Sequence, residues 1–169
     1  MLIRRIQTGE WGIYRQLRLA ALLESPRAFS TTYEDALART EESWREQADS
    51  AARGGDRCSF LAFTEQGFPV GLASAYRDGR KPDEAELLQV WVSPNLRGSG
   101  LARSLVKAAL AWCGDRGIWR VTAIVVEGND RALAFYGRLG FAECEDESER
   151  LEGARVLAIS LASGGEPGR

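Results

Sequence analysis

Apolar positions recur along the chain with two periods, and the period in force at each stretch predicts the element. Leu2-Ile3-Arg4-Arg5-Ile6 reads as a short strand. Thr8 is placed to cap a helix with Glu10 in its first turn, and Trp11, Tyr14, Leu17, Arg18, Ala21 and Leu22 then recur at helical spacing. Pro26 disfavours helical geometry in the residue before it, so this helix is predicted to stop near Ser25. Arg27 to Thr32 follow as a loop or the start of a second helix. Thr31 and Glu34 form a capping-box pattern, and a helix is predicted over Tyr33–Gln47 with Trp44 as a packing residue. Beyond Gly54-Gly55 the period changes to two. Cys58–Thr64 and Val70–Arg77, joined at Gln66-Gly67, read as an antiparallel hairpin. Ala85–Val92 is the next strand, and Leu101–Asp115 an apolar-periodic helix stopped by Gly114 and Gly117. Ile118–Val126 is a β-branched strand. Asn129 caps a helix running to about Leu139, and Gly140 ends it. Phe141–Cys144 starts a strand, Glu145–Glu152 is a charged turn, and Arg155–Leu161 is the last strand.

The resulting order, β-α-α-β-β-β-α-β-α-β-β, is mixed α/β, with hairpins flanking a single strand–helix–strand unit. It lacks the regular βαβαβ alternation of a doubly wound nucleotide fold. No repeat or linker divides it, so one domain over residues 1–161 is expected. Ala162–Arg169, rich in Gly, Ser and Pro, reads as a disordered tail.

Composition narrows the chemistry. With 169 residues, 44% hydrophobic and 27% charged, the chain falls among soluble globular domains. A formal charge of −2 argues against a general nucleic-acid binder. No apolar run reaches the length of a membrane span, and the two N-terminal arginines precede no apolar signal region. The three cysteines, Cys58, Cys113 and Cys144, are odd in number and far apart, which fits free thiols in a reducing cytoplasm. The absence of histidine removes Ser-His-Asp and Cys-His catalysis and imidazole zinc sites, so no metal is expected. Any general base is then a carboxylate, a lysine, a tyrosine, a terminus or a water that such groups hold.

Chemistry concentrates between Glu86 and Ala102, in the run ELLQVWVSPNLRGSGLA. An apolar strand ends at Ser93-Pro94, and a glycine-rich turn, Arg97-Gly98-Ser99-Gly100, opens directly into the helix at Leu101. Such a turn aims backbone N–H groups and the positive end of a helix at one point, which suits a phosphate. A dinucleotide fingerprint fails because Arg103 stands where its third Gly or Ala belongs. A P-loop fails because no Gly-Lys-Ser/Thr ending is present.

Arg97-Gly98-Ser99-Gly100-Leu101-Ala102 reads as [Q/R]-x-x-G-x-[G/A] and follows Val90-Trp91-Val92-Ser93-Pro94. Downstream stand Asn129, Ala132, Phe135-Tyr136 and Leu139-Gly140-Phe141. In these two signatures, in this order, the chain resembles the GNAT superfamily of N-acetyltransferases, with the matching core over about residues 57–145. The resemblance implies a central, mostly antiparallel, twisted sheet of about seven strands, splayed between 85–92 and 118–126 and flanked by about four helices. It implies acetyl-CoA as acyl donor. Backbone groups of Arg97, Gly98, Ser99, Gly100, Leu101 and Ala102 are expected to hold its pyrophosphate. Those of Val90, Trp91 and Val92 are expected to hold the pantetheine arm and the thioester carbonyl. By resemblance Asn129 hydrogen-bonds the cofactor arm, or serves only as a helix cap. Tyr136 is expected to protonate the departing thiolate, the other reading being a core aromatic.

The acceptor amine must lose a proton before attack. Glu86, six residues before Val92, holds the offset of a catalytic glutamate in some relatives, the other readings being attraction of the cationic amine or a solvated position, with Glu84 as the weaker alternative. Strand alternation predicts Glu86, Leu88, Val90 and Val92 on one face. Phe29, Thr32 and Tyr33 are expected to line the acceptor pocket. The function implied is acetyl transfer to a primary amine, a small molecule in preference to a protein lysine or N-terminus. A non-catalytic acyl-CoA-binding module is the competing reading. No nucleic-acid or membrane partner is expected. The resemblance allows a homodimer, for which the apolar Val156-Leu157-Ala158-Ile159 is a candidate edge, unless it is an internal strand.

Overall fold

The computed structural model describes residues 1–162, so the expected tail, from 163 onward, lies outside the described residues. Strand β1 (Leu2–Arg5) leads into α1 (Trp11–Glu24), which ends at Ser25 as Pro26 requires, and a 3₁₀ turn covers Pro26–Ala28. The single helix expected over Tyr33–Gln47 is two: α2 (Tyr33–Leu37) and α3 (Glu41–Arg53). The break is a capping event. Thr40 takes extended geometry and its Oγ1 accepts from the Ser43 N–H at 3.1 Å, starting a new helix. Thr32, one residue after the expected cap, does the same for α2 by accepting from Asp35 N–H at 3.1 Å. Gly54, left-handed at φ 69, closes α3.

The remaining elements are β2 (Arg57–Phe63), β3 (Pro69–Tyr76), β4 (Glu84–Val92), α4 (Leu101–Gly114), β5 (Arg120–Val126), α5 (Asp130–Arg138), β6 (Ala142–Glu143), α6 (Glu145–Ser148) and β7 (Ala154–Ser160). They build one seven-stranded sheet in the order β1-β2-β3-β4-β5-β7-β6, mostly antiparallel, as expected. The β4–β5 pair is parallel and short. It runs from Glu84 opposite Arg120 to Leu87 opposite Ala123 and then stops, whereas β5 stays paired with β7 to Val126. Beyond Leu87 the two strands diverge, which frees one edge of each. Strand β7 is interior, between β5 and β6, so Val156–Ile159 is not an outer edge. Two acidic side chains in and beside the charged turn are committed to ion pairs. Glu147 pairs with Arg120, which also bonds Glu84 at 3.0 Å, and Glu143 pairs with Arg155 at 3.0 Å.

The two faces of the sheet carry separate cores. On one, Leu61, Leu72 and Trp91 pack with Tyr14, Leu17 and Trp44 of α1 and α3. On the other, Ala75, Leu87, Val121 and Ala123 pack with Val106 and Ala109 of α4 and with Tyr136 of α5. A bulge in β4 exchanges the faces midway. Leu88 pairs with Ser74 and Trp91 with Leu72, so Gln89 and Val90 together oppose Ala73. Glu86 and Leu88 therefore share the α1 face with Trp91, while Val90 and Val92 pack toward α4. This corrects the expectation that all four share a face, since alternation holds only while the ladder is unbroken.

Gln89 at the bulge has φ 58, the one positive φ outside glycine among the described residues, at a cost of about 1–2 kcal/mol. A polar network on the α1 face holds it there. Tyr14 Oη donates to Gln89 Oε1 at 2.8 Å and accepts from Gln47 Nε2 at 2.9 Å. Ser74 Oγ donates to the same Gln89 oxygen at 3.0 Å and lies 2.7 Å from Ser59 Oγ. At about 0.5–1.5 kcal/mol net per bond, the network offsets the strain.

Candidate active site

Gly98 and Gly100 both take left-handed geometry, at φ 81 and 86, and a Cβ at either would touch nothing within 4 Å. Glycine is therefore demanded by the direction of the backbone, not by crowding within the chain. That direction leaves the first N–H groups of α4 without intrahelical acceptors. Leu101 N–H reaches only Ser99 Oγ, at 3.4 Å, and Ser99 Oγ itself donates to Leu96 O at 2.6 Å. The N–H groups of Gly98, Gly100, Ala102 and Arg103 have no acceptor among the described residues and stand at the positive end of a 14-residue helix. Arginines gather around them. Arg97, Arg103, Arg131 and Arg138 all border the same cleft, of about 510 Å³. Arg131 and Arg138 belong to α5 and are joined to the loop only by the fold, so sequence spacing did not single them out.

The Arg97 side chain is committed elsewhere. It is ion-paired with Glu24, the last residue of α1, with Nη1 donating to Oε1 at 3.0 Å. Glu24 also accepts from Trp91 Nε1 at 3.0 Å and from Ser25 Oγ. The guanidinium beside it, with help from these donors, holds the Glu24 carboxyl at about 2. Trp91 thus belongs both to the core and to the cleft wall.

Val90, Val92, Gly98, Gly100, Leu101, Ala102, Asn129 and Tyr136 line this cleft as well; Ser99 does not. Ser93 N–H donates to Val70 of β3 at 2.9 Å, so strand alternation turns the Val92 backbone toward the diverging edge. Asn129 caps α5, its Oδ1 accepting from Ala132 N–H at 3.2 Å, which leaves its amide NH₂ for the cleft. Tyr136 is 8% exposed and lies edge-on to Phe135 and Phe141, with centroids 5.1 and 5.3 Å away. Its hydroxyl has no partner among the described residues. Burial pushes its pKa up, so it stays protonated and suits donation.

Glu86 is not part of the cleft lining. It lies across the sheet, between Tyr76 of β3 and Thr122 of β5, half-buried and without an ion pair or hydrogen bond among the described residues. Desolvation raises its pKa. Glu84 is occupied by Arg120 and, at 3.7 Å, by Lys81. Of the three expected pocket residues, Phe29 lines the cleft. Thr32 spends its hydroxyl on capping α2, and Tyr33 packs on the α1–α3 core. Cys58 and Cys113 are buried free thiols pushed up to about 12, which makes both inert as nucleophiles.

Free backbone donors, a helix N-terminus, a diverging strand edge and a protonated tyrosine thus surround one cleft. The model of the acetyltransferase (GNAT) family matches residues 19–141. The chain belongs to the GNAT family. Among curated relatives it is 34% identical over 141 residues to a mycothiol acetyltransferase of Thermobispora bispora, covering 81% of this chain and 46% of that one. It thus spans less than half the length of that relative. Among solved structures it resembles a GNAT-family acetyltransferase of Streptococcus pneumoniae, with a TM-score of 0.77 at 19% identity over 95% of this chain and 99% of that one. It also resembles the PaiA N-acetyltransferase of Thermoplasma acidophilum in complex with coenzyme A, with a TM-score of 0.73 at 16% identity over 95% and 98%. At such identities these structures show the GNAT fold alone.

Proposed function

We propose that residues 1–161 form one N-acetyltransferase domain that moves the acetyl group of acetyl-CoA to a primary amine of a small molecule, by direct attack within a ternary complex. The observation that carries this reading is the convergence, on one cleft, of the unpaired N–H groups of the Gly98–Arg103 turn, the freed β4 edge and the Tyr136 hydroxyl. The turn and the arginines around it hold the pyrophosphate. The Val92 edge receives the pantetheine amides and polarises the thioester carbonyl as its oxygen gains charge. Asn129 steadies the arm through its free amide.

Glu86 stands on the opposite face, where an amine entering through the divergence of β4 and β5 meets the thioester. Glu86 takes the ammonium proton, directly or through water, and the freed nitrogen lone pair attacks the carbonyl carbon. The C–S bond breaks, Tyr136 gives its proton to the leaving sulfur, and the second proton that the attacking nitrogen sheds as the amide forms restores the tyrosine hydroxyl. A small-molecule acceptor is supported by the relatives named for mycothiol acetylation, and by the commitment of Glu143 and Glu147 to intramolecular ion pairs, which leaves less acidic surface for a basic protein.

The test is CoA release from acetyl-CoA across a panel of primary amines. Tyr136→Phe is expected to lower kcat by about 100-fold or more, the size of a lost general acid, with acetyl-CoA affinity kept. Normal turnover by Tyr136→Phe on a good acceptor refutes the role of Tyr136. Tight acetyl-CoA binding with no acetylation of any amine or peptide favours the non-catalytic module.

A further inference from the structure

One charged side chain is buried where nothing in the chain answers it. Arg18, on the core-facing side of α1, is 5% exposed. Its Nη1 is buried without a partner, and the side chain has no hydrogen bond or ion pair among the described residues. The guanidinium instead lies on the face of Phe29, 5.0 Å from its carbon to the ring centroid. Desolvation lowers its pKa, opposed in part by Tyr14 and reinforced by a second cation, Arg39. Arg39 lies over the Trp44 ring at 4.0 Å and bonds Ser43. Nearby acceptors are already taken. The Tyr14 hydroxyl is held between Gln47 and Gln89, and Glu24 belongs to Arg97 and Trp91.

A guanidinium buried without a counter-ion is normally avoided, because an aromatic face returns less than desolvation takes away. Its position here is informative. Phe29 covers Arg18 and also walls the cleft, and the 3₁₀ turn that carries its neighbours reaches β5 across the divergence from β4. The ring of Phe29 is thus what stands between the Arg18 guanidinium and the cleft. We propose that Arg18 is the specificity-determining residue of the acceptor site, and that the acceptor amine carries an oxyanion, a carboxylate or a phosphate, which pairs with its guanidinium. The planar fork of arginine suits bidentate pairing with either group. This inference rests on the acetyl-transfer reading and names the class of its acceptor.

The probes are the common amino acids as free acids and as primary amides, with O-phosphoethanolamine set against ethanolamine for the phosphate source. The intact chain is expected to acetylate at least one anionic probe with a kcat/KM about tenfold or more above its uncharged match, as expected when a site's buried polar group is left unpaired by the wrong ligand. Arg18→Met should collapse that acid-to-amide ratio toward one, and Arg18→Lys should keep part of it. Arg18→Met should also melt higher than the native chain, because it removes an unanswered buried charge. A merely structural arginine would instead lower both rates together and leave the ratio intact, which overturns the proposal. Equal use of acids and amides by the native chain overturns it too. Where no probe is turned over, the broader amine panel tests the acetyl-transfer reading, and calorimetry decides the acceptor class separately. Binding of an anionic probe that Arg18→Met loses supports it; no binding of any anionic probe refutes it.

Discussion

On the proposed acetyl-transfer reading, the donor and acceptor sides of the β4–β5 divergence are built from different materials. The donor side is backbone: left-handed glycines at 98 and 100, orphan N–H groups at the start of α4, and a strand edge freed where pairing stops at Leu87. The acceptor side is side chain: Glu86 half-buried without a partner, Phe29 over Arg18, and the Gln89 network that sets the bulge. On the proposed reading, backbone geometry serves a ligand part that never changes, because oriented amides would hold the pyrophosphate whatever the acyl acceptor is. Side chains serve the part that does change. Substitutions on the acceptor side should therefore alter rate, pH dependence and choice of amine, while those in the phosphate turn should alter cofactor affinity and little else.

The largest departure is expected at Glu86. Glu86→Gln should cut kcat/KM for the amine by about 100-fold, the scale of a lost general base, without weakening acetyl-CoA binding. In the native chain the rising limb of the pH profile should lie above the ordinary carboxylate range, because burial raises this pKa. The sign for stability is opposite. A carboxyl whose pKa is raised by folding contributes stability that is present at low pH and lost as pH rises through the folded value. Glu86→Gln should therefore melt higher than the native chain at pH 7. A variant slower and more stable marks a group held for chemistry. Unchanged rates on a good amine would assign proton removal to another group.

A smaller effect, confined to the cofactor, is expected at Gly100. Forcing a Cβ-bearing residue into left-handed geometry costs about 1–2 kcal/mol, or roughly tenfold in affinity where the turn must hold that shape. Gly100→Ala should raise KM for acetyl-CoA by about that factor and leave the saturated rate near native. Because a Cβ at 100 meets no atom within 4 Å, Gly100→Asn should lose less than Gly100→Ala, asparagine being the more tolerant of that region. The reverse order would mean that the bound pyrophosphate, not the φ angle, excludes the side chain.

The same division explains what could be read from the sequence. The turn, its helix, the order of elements along the chain and the Asn129 cap rest on local chemistry, and each is visible as spacing of apolar, Gly, Pro and capping residues. The split of the second helix was legible in principle, since Thr40 precedes two acidic residues, but the helix formers on either side obscured it. The β4 bulge was not legible. A strand slips when its partners require it, and Gln89 is held by Tyr14, Gln47 and Ser74, brought together only by the fold. Arg18 left a trace, because it falls on the buried stripe of α1 among Tyr14, Leu17 and Ala21. A charge on an apolar stripe marks a position without saying what answers it.

Glu24 is where the two sides touch, and its predicted effect is the smallest. Its carboxylate joins the end of α1, next to the acceptor-side turn, to Arg97 of the phosphate turn and Trp91 of β4. The pair is partly exposed, with side chains 33% and 26% accessible, so its worth is modest. Being held at about 2 instead of 4.5, the carboxyl contributes stability above the ordinary carboxylate range and loses it as pH falls toward 2. The difference in melting temperature between native and Glu24→Gln chains should therefore be present at pH 7 and shrink between pH 4.5 and 2. On function two tendencies oppose. Glu24→Gln loosens the anchor of the turn, which raises KM for acetyl-CoA, and it frees the Arg97 charge, which lowers it. The donor side works through backbone, so the anchor should win, with KM rising by about twofold to threefold, the scale of one partly exposed ion pair. A fall in KM would show instead that the Arg97 guanidinium reaches phosphate once released, and that the side chain Glu24 holds back is itself part of the donor site.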